Sequence, residues 1–316
     1  MMNPPSGSLN APNAMRWRIG LVGYGEVGKI LAEDLRGRDV SVEMYDLKLE
    51  KAAGEAMRDH ARAHGVRIAK SHGQLAAGAD LVISAVTASQ AVAAAQACGN
   101  SLNKDRFFLD LNSASPSAKI RAAALVHQHG GRYIEGAVMT SVPPYRIGVP
   151  LLLGGPHADA LALPLRALGF DAKACSDKLG VASATKMCRS VIIKGLEAMV
   201  IESFTTARAW GVEDQVIASL VETFPGVRWD EQGAYFFHRV IEHGRRRAEE
   251  MFEAAETVRE AGLDPWSARG AAQRQAWVAD LATRGVFEQE GASKRPADWR
   301  IHADRILAAR SAGEKS

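Results

Sequence analysis

The chain has 316 residues, 47% of them hydrophobic and 24% charged, enough to bury the cores of two medium domains. Its 39 basic and 36 acidic residues are interspersed and leave a net charge of +3, which excludes a bulk field for holding nucleic acid or an anionic membrane. No apolar run approaches the roughly 20 residues that cross a bilayer, and the opening shows no basic region followed by an apolar stretch. Cys98, Cys175 and Cys188 lack the close spacing of a zinc or redox motif, so no metal site and no disulfide is expected, and a reducing cytoplasm is the expected compartment.

Residues 1 to 15, rich in Pro, Ser, Asn and Gly, are expected to form a disordered tail. From Arg16 to Gly180, short β-rich runs alternate with Ala-rich helical segments, the order of βαβ units in a parallel sheet. The expected strands are Arg18–Val22, Val40–Tyr45, Arg67–Ala69, Leu81–Val86, Phe107–Leu111, Tyr133–Val138, Val149–Leu153 and Asp171–Ala174. Helical periodicity marks Val27–Leu35, Leu49–Ala63, Ala91–Ala97 and Ser117–His129 between them. Beyond Gly180 the strands stop. Helical pattern then runs through Val181–Trp210, Glu213–Phe224, Asp230–Glu260 and Pro265–Ala282, broken at Gly211, at Pro225 with Gly226, and at Gly262 with Pro265. The fold class is therefore α/β with a doubly wound, mostly parallel sheet over residues 16 to 180, then a long interdomain helix and an all-α domain over residues 181 to 290. Residues 291 to 316 read as a C-terminal tail with one last short helix, beyond which the chain frays.

The segment Ile19-Gly20-Leu21-Val22-Gly23-Tyr24-Gly25-Glu26-Val27-Gly28 carries a strand directly into Gly-x-Gly-x-x-Gly and a helix. Gly23 permits the tight turn, Gly25 lets the backbone approach a pyrophosphate with no Cβ in the way, and Gly28 lets helix and strand pack closely. The phosphates then meet the unpaired N–H groups of the helix N-terminus, in a turn that Tyr24, Glu26 and Val27 complete. A chain with 29 glycines can produce such a run by chance, as ordinary turns beside an aspartate that merely caps a helix. The order of elements argues for dinucleotide binding: a second strand ends in Asp46, 46 − 28 = 18 residues past the last glycine, where an acid reaches the ribose hydroxyls. This is the fingerprint of a Rossmann domain. Asp46 repels a 2′-phosphate, so NAD is the expected cofactor, while Lys48 softens that repulsion and leaves NADP open. Val86 and Thr87, where the strand Leu81–Val86 ends, are further candidate cofactor contacts.

Three later segments follow in order. Asp110-Leu111-Asn112-Ser113-Ala114-Ser115-Pro116 leaves a strand, Glu135-Gly136-Ala137-Val138-Met139-Thr140-Ser141 spans the end of the next, and Gly180 with Lys186 opens the long helix. Together they resemble the β-hydroxyacid dehydrogenase and 6-phosphogluconate dehydrogenase superfamily. The first is similar to its Asp-x-Ser-Thr-x-x-Pro stretch near the nicotinamide, which makes Asn112 and Ser113 polar cofactor contacts. The second stands in place of its carboxylate-holding Asp-Ala-Pro-Val-Ser-Gly-Gly, and the last matches its catalytic lysine. The runs Gly136 to Met139, Val142-Pro143-Pro144-Tyr145, Lys186-Met187-Cys188-Arg189-Ser190 and Arg245-Arg246-Arg247 look like a bacterial branch with a C-terminal domain of unassigned function. Two departures stand out. Met139-Thr140-Ser141 replaces Ser-Gly-Gly, which puts side chains into the pocket, and Ser190, preceded by Arg189, replaces the asparagine one turn after the lysine.

The resemblance implies interconversion of a hydroxyl and a carbonyl on a small anionic substrate, with Lys186 as general acid or base. Ser190 and Asn112 are its candidate catalytic partners, and Met139, Thr140, Ser141, Arg189 and His238 are the candidate substrate contacts. It also implies a homodimer. Related readings are imine or β-hydroxy amino acid chemistry, oxidative decarboxylation, and a non-catalytic NAD-binding module; Lys186 argues against the imine reductases, which usually lack it. The basic run Arg245-Arg246-Arg247 offers an anion site through one arginine, whereas Glu249, Glu250 and Glu253 at helical spacing favour a solvated face for two of the three. Trp210, Trp229, Phe236 and Phe237 read as helix-packing core or subunit interface.

Overall fold

The β-rich runs become strands β1 (Arg18–Val22), β2 (Ser41–Tyr45), β3 (Arg67–Ile68), β4 (Leu81–Ser84), β5 (Phe107–Asp110), β6 (Arg132–Val138), β7 (Leu151–Gly154) and β8 (Ala172–Ser176). In the computed structural model, which describes residues 11–288 and 298–313, they form one sheet in the order β3-β2-β1-β4-β5-β6-β7-β8. Every pairing is parallel except β6 with β7. Strands β4 and β5 are buried at each residue, so they are continuous apolar runs, up to Ser84 and Asp110 at their carboxyl ends, rather than alternations. Sheet order reverses between β1 and β4, which opens a crevice outside their carboxyl ends.

Helices α1 (Glu26–Arg36), α2 (Gly54–Ala63), α3 (His72–Gly78), α4 (Ala91–Gly99), α5 (Pro116–His127), α6 (Val142–Tyr145) and α7 (Ala158–Ala167) fill the connections. One core joins Leu31 and Leu35 of α1 and Leu161 and Leu165 of α7 to Ile19, Leu21 and Leu109 of the sheet. A second joins Leu75, Ala95, Cys98 and Val126 of α3, α4 and α5 to Val82 and Phe108. The sheet is thus covered on both faces, as a doubly wound fold requires. The helix expected from Leu49 starts at Gly54 instead. Asp46 accepts the Lys48 amide and folds Leu47–Glu50 into a 3-10 turn, and a Cβ on Gly54 would lie 1.9 Å from the Leu49 carbonyl oxygen. Helices α3, α6 and α7 lacked a readable period because the first two are short and α7 contains Pro164. Of the expected N-terminal tail, residues 11 to 15 belong to a 3-10 turn, Ala11–Arg16, with Ala14 buried; residues 1 to 10 lie outside the described residues.

The chain divides into two compact units between Lys186 and Met187, within α8 (Val181–Trp210). The second unit adds α9 (Glu213–Thr223), α10 (Trp229–Glu260), α11 (Trp266–Thr283) and α12 (Arg300–Gly313). Phe204, Trp229, Phe236, Phe237, Val278, Trp299 and Ile306 make its main core. Gly244 lets α10 approach α11, since a Cβ there would stand 2.8 Å from the Gln275 carbonyl oxygen. Trp210 is exposed and lies outside this core, so of the two readings given for it, core or subunit interface, only the second is left. The C-terminal segment carries the one expected helix, α12, which has 14 residues and is anchored by Trp299, Ala303 and Ile306; residues 291 to 297 and 314 to 316, on which the expected fraying falls, lie outside the described residues. Among the described residues, no helix is long and apolar enough to cross a membrane.

Candidate active site

The glycine turn has the shape its spacing demands. Gly23 adopts φ +90°, and a Cβ there would sit 2.4 Å from the Ala85 carbonyl oxygen. A Cβ on Gly28 would sit 2.2 Å from the Gly23 carbonyl oxygen, whereas one on Gly25 would meet nothing within 4 Å. The protein itself therefore requires the first and third glycines, and the open second position is where a ligand backbone would come close. No side chain caps the N-terminus of α1, which leaves first-turn N–H groups, Glu26 and Val27 among them, to meet an anion. Asp46 ties the turn to β2: its carboxylate accepts the Tyr24 amide at 2.7 Å and the Lys48 amide at 2.8 Å. The Tyr24 ring is buried, which, with Glu33 nearby, raises its hydroxyl to about 12, and it lies 3.0 Å from His60 Nδ1. These residues fit a dinucleotide, with phosphates on the α1 amides and a ribose at Asp46.

A second set of bonds closes the ends of β4 and β5. Asn112 Oδ1 accepts the Val86 amide at 2.6 Å, and its Nδ2 donates to Ser84 Oγ at 3.0 Å. The Asn112 amide in turn donates to Asp110 Oδ1. Asp110 also accepts from Tyr133 Oη at 2.7 Å and pairs with Lys119 Nζ at 2.8 Å, all three being buried. Burial first, and the Asp110 charge second, push the Tyr133 phenol well above its ordinary value. Thr87, just past Val86, is exposed. The Asp110–Lys119–Tyr133 cluster was missed by sequence reasoning; its signal was a lysine on the buried side of the Ala-rich α5.

That loop brings Ser113 to Lys186. Lys186 Nζ donates to Ser113 Oγ at 2.6 Å across 73 residues. The helix that carries Lys186 is held at its first turn by Glu135, whose buried carboxylate accepts the Ala182 amide at 3.0 Å and the Ser183 hydroxyl at 2.8 Å. The sequence places Glu135 only within a substrate segment; the signal for its role is an acid inside a buried apolar strand. Met139, one residue beyond β6, donates its amide to the Pro150 carbonyl; Met139 and Ser141 are half-buried and Thr140 is exposed.

The remaining candidates belong to the second unit. Ser190 is buried and accepts from Lys194 Nζ at 3.1 Å, so its hydroxyl serves Lys194, which also pairs with Glu250 at 2.9 Å. Burial lowers the Lys194 pKa, against the opposing charge of Glu250. Ser113, read from the sequence only as a cofactor contact, is the residue that accepts from Lys186. Arg189 is exposed. His238 is half-buried, with its ring edge-on to His302 at 5.3 Å. Each arginine of the basic run has an acid: Arg245 pairs with Asp280, Arg246 with Glu250, and buried Arg247 with Glu197.

A family model for the NAD binding domain of 6-phosphogluconate dehydrogenase matches residues 18–164, and one for a domain of unknown function (DUF1932) matches residues 207–278. A crystal structure of a conserved hypothetical protein from Sinorhizobium meliloti 1021 is 35% identical, with 93% of this chain and 96% of that chain covered and a TM-score of 0.74. The chain belongs to the 6-phosphogluconate dehydrogenase-like family. Its first unit is accordingly an NAD(P)-binding domain, and the chain is homologous to dehydrogenases of the hydroxyacid type. The mitochondrial 3-hydroxyisobutyrate dehydrogenase of Drosophila melanogaster is 24% identical over 216 residues, 67% of this chain and 64% of that protein. Mycobacterium tuberculosis 3-hydroxyisobutyrate dehydrogenase, solved with L-serine, shares the fold at 17% identity and a TM-score of 0.63, covering 92% of this chain and 99% of its own.

Proposed function

We propose that the protein is an NAD-dependent oxidoreductase that interconverts a hydroxyl and a carbonyl on a small anionic substrate, with Lys186 moving the proton. The bound nicotinamide would supply or accept the hydride. Support comes chiefly from the 2.6 Å bond between Lys186 Nζ and Ser113 Oγ, which sets an amine beside the loop that leaves the carboxyl end of β5. In the alcohol direction Lys186 Nζ takes the hydroxyl proton, and in the carbonyl direction it returns one to the new alkoxide oxygen. Ser113 orients that amine. Asn112 keeps the loop in register by its bonds to Val86 and Ser84, and Met139, Thr140 and Ser141 face the substrate's anionic end.

Asp46 favours NAD over NADP by repelling a 2′-phosphate. A homodimer is part of the proposal: Ile192, Met199 and Trp210 are 69%, 62% and 79% exposed at helical spacing along α8, an apolar stripe that a second subunit would cover. The three unpaired cysteines suit a cytoplasmic setting.

The test is Lys186→Met, assayed at the nicotinamide absorbance with hydroxy acids, sugar acids and β-hydroxy amino acids. Dinucleotide binding should persist while turnover falls by at least about 10³-fold. Wild-type kcat in the variant would sink the role of Lys186, and no turnover by the wild-type chain across the whole screen would point to a binding module.

A further inference from the structure

On the first unit, α1 and the end of α2 bring Glu33, His60 and His64 together, with one donor atom from each within 4.8 Å of the others. His60 and His64 are four residues apart, so they project from one side of the helix end, and their ring centres are 4.5 Å apart. Glu33 Oε1 lies 2.9 Å from His60 Nε2. The far sides of both groups are also held. His60 Nδ1 lies 3.0 Å from the Tyr24 hydroxyl, and Glu33 Oε2 accepts from Arg146 Nη2 at 2.7 Å.

A contact between His60 and Glu33 does not require the His64 ring beside it. Metal-binding histidines and carboxylates are characteristically oriented by an outer partner on the atom that does not ligate, which is the role Tyr24 and Arg146 fill. We propose that Glu33, His60 and His64 bind a divalent transition-metal ion, with zinc the best match to two imidazoles and one carboxylate. The ion takes the place of the hydrogen between His60 Nε2 and Glu33 Oε1. Tetrahedral ligation with bonds of about 2.0 to 2.2 Å places donor atoms roughly 3.4 Å apart. His64 is exposed and can make the short movement needed, and water completes the shell. The proposal rests on the first unit alone and is independent of the proposed redox activity.

Isothermal titration of the full, untagged, chelator-treated chain with zinc chloride tests it. One equivalent should bind with a micromolar Kd, and His64→Ala should weaken binding at least about tenfold with an unchanged circular dichroism spectrum. Tyr24→Phe, which removes only the outer partner of His60, should weaken it by a smaller factor. Absence of saturable binding near one equivalent, or equal affinity in His64→Ala, would overturn the proposal.

Discussion

Glu135, in the middle of β6, closes the first turn of α8 through Ser183, accepting the Ser183 hydroxyl at 2.8 Å and the neighbouring Ala182 amide at 3.0 Å. A strand of the sheet thereby sets the start of the helix that carries Lys186. Removing the carboxylate takes the charged acceptor from three buried donors, the Ala182 amide, the Ser183 amide and the Ser183 hydroxyl, of which the hydroxyl keeps the Gly180 carbonyl as a second acceptor, and hydrogen bonds to charged groups contribute about 1.5 to 3 kcal/mol. Glu135→Ala should therefore cost about 3 kcal/mol in urea denaturation, with Glu135→Gln less damaging. A loss below 0.5 kcal/mol in Glu135→Ala would show that the helix start is held by other contacts.

The three glycines of the turn should separate folding from binding. A Cβ at Gly28 would collide with the Gly23 carbonyl, so Gly28→Ala should unfold the turn and lower Tm. Gly25 has open space beside it and an ordinary negative φ of −77°, so Gly25→Ala should leave Tm within about 1 °C. Its Cβ nevertheless projects where a pyrophosphate would approach the backbone. Gly25→Ala should therefore weaken NAD binding at least about tenfold, measured by nucleotide fluorescence. Equal affinity would mean that the phosphates lie elsewhere.

The features legible in the sequence are those whose cause is local. Central strands β4 and β5 are apolar up to their last residues, Ser84 and Asp110, because both faces are covered, and the turn Gly23 to Gly28 is written in consecutive residues. Lys186 could be singled out, but its contact with Ser113 spans 73 residues and has no local trace. The same holds for Glu135, whose bond to Ala182 spans 47. Arg247 shows what local spacing leaves open: Arg245 and Arg246 are exposed, as expected for two of the three arginines, while the fold gives the third, Arg247, Glu197, 50 residues away. Ser190 likewise sits one turn from Lys186 and also one turn from Lys194, and periodicity alone does not choose between them.

Arg247 and Glu197 are both almost fully buried, with Gln275 Nε2 also donating to the same carboxylate at 3.3 Å. Breaking a buried pair from one side leaves an uncompensated charge, which costs about 3 to 5 kcal/mol. Arg247→Met should destabilise the protein by that amount. The double variant Glu197→Gln with Arg247→Met should recover more than half of it, because no charge then remains buried. Additive losses in the two single variants would show that the pair interacts weakly.

His302 should make the helical unit sensitive to acid. Its ring is 1% exposed, stacks 6.2 Å from Phe237, and has neither nitrogen hydrogen-bonded among the described residues. Burial, then His238 and Arg305, lower its pKa to about 4 from 6.5. The folded form thus holds the neutral ring, while the unfolded chain takes up a proton below pH 6.5. Stability from this residue is complete above pH 6.5 and falls as the pH drops, levelling off near pH 4. The loss by pH 4.5 is about 2 to 3 kcal/mol, at 1.36 kcal/mol per pH unit. His302→Phe keeps the ring stacking and removes the titration. Its advantage over wild type in urea midpoints should therefore grow by that amount between pH 7.5 and pH 4.5. Parallel stability curves for the two proteins across this range would show that His302 is already protonated, or reached by water, in the folded state.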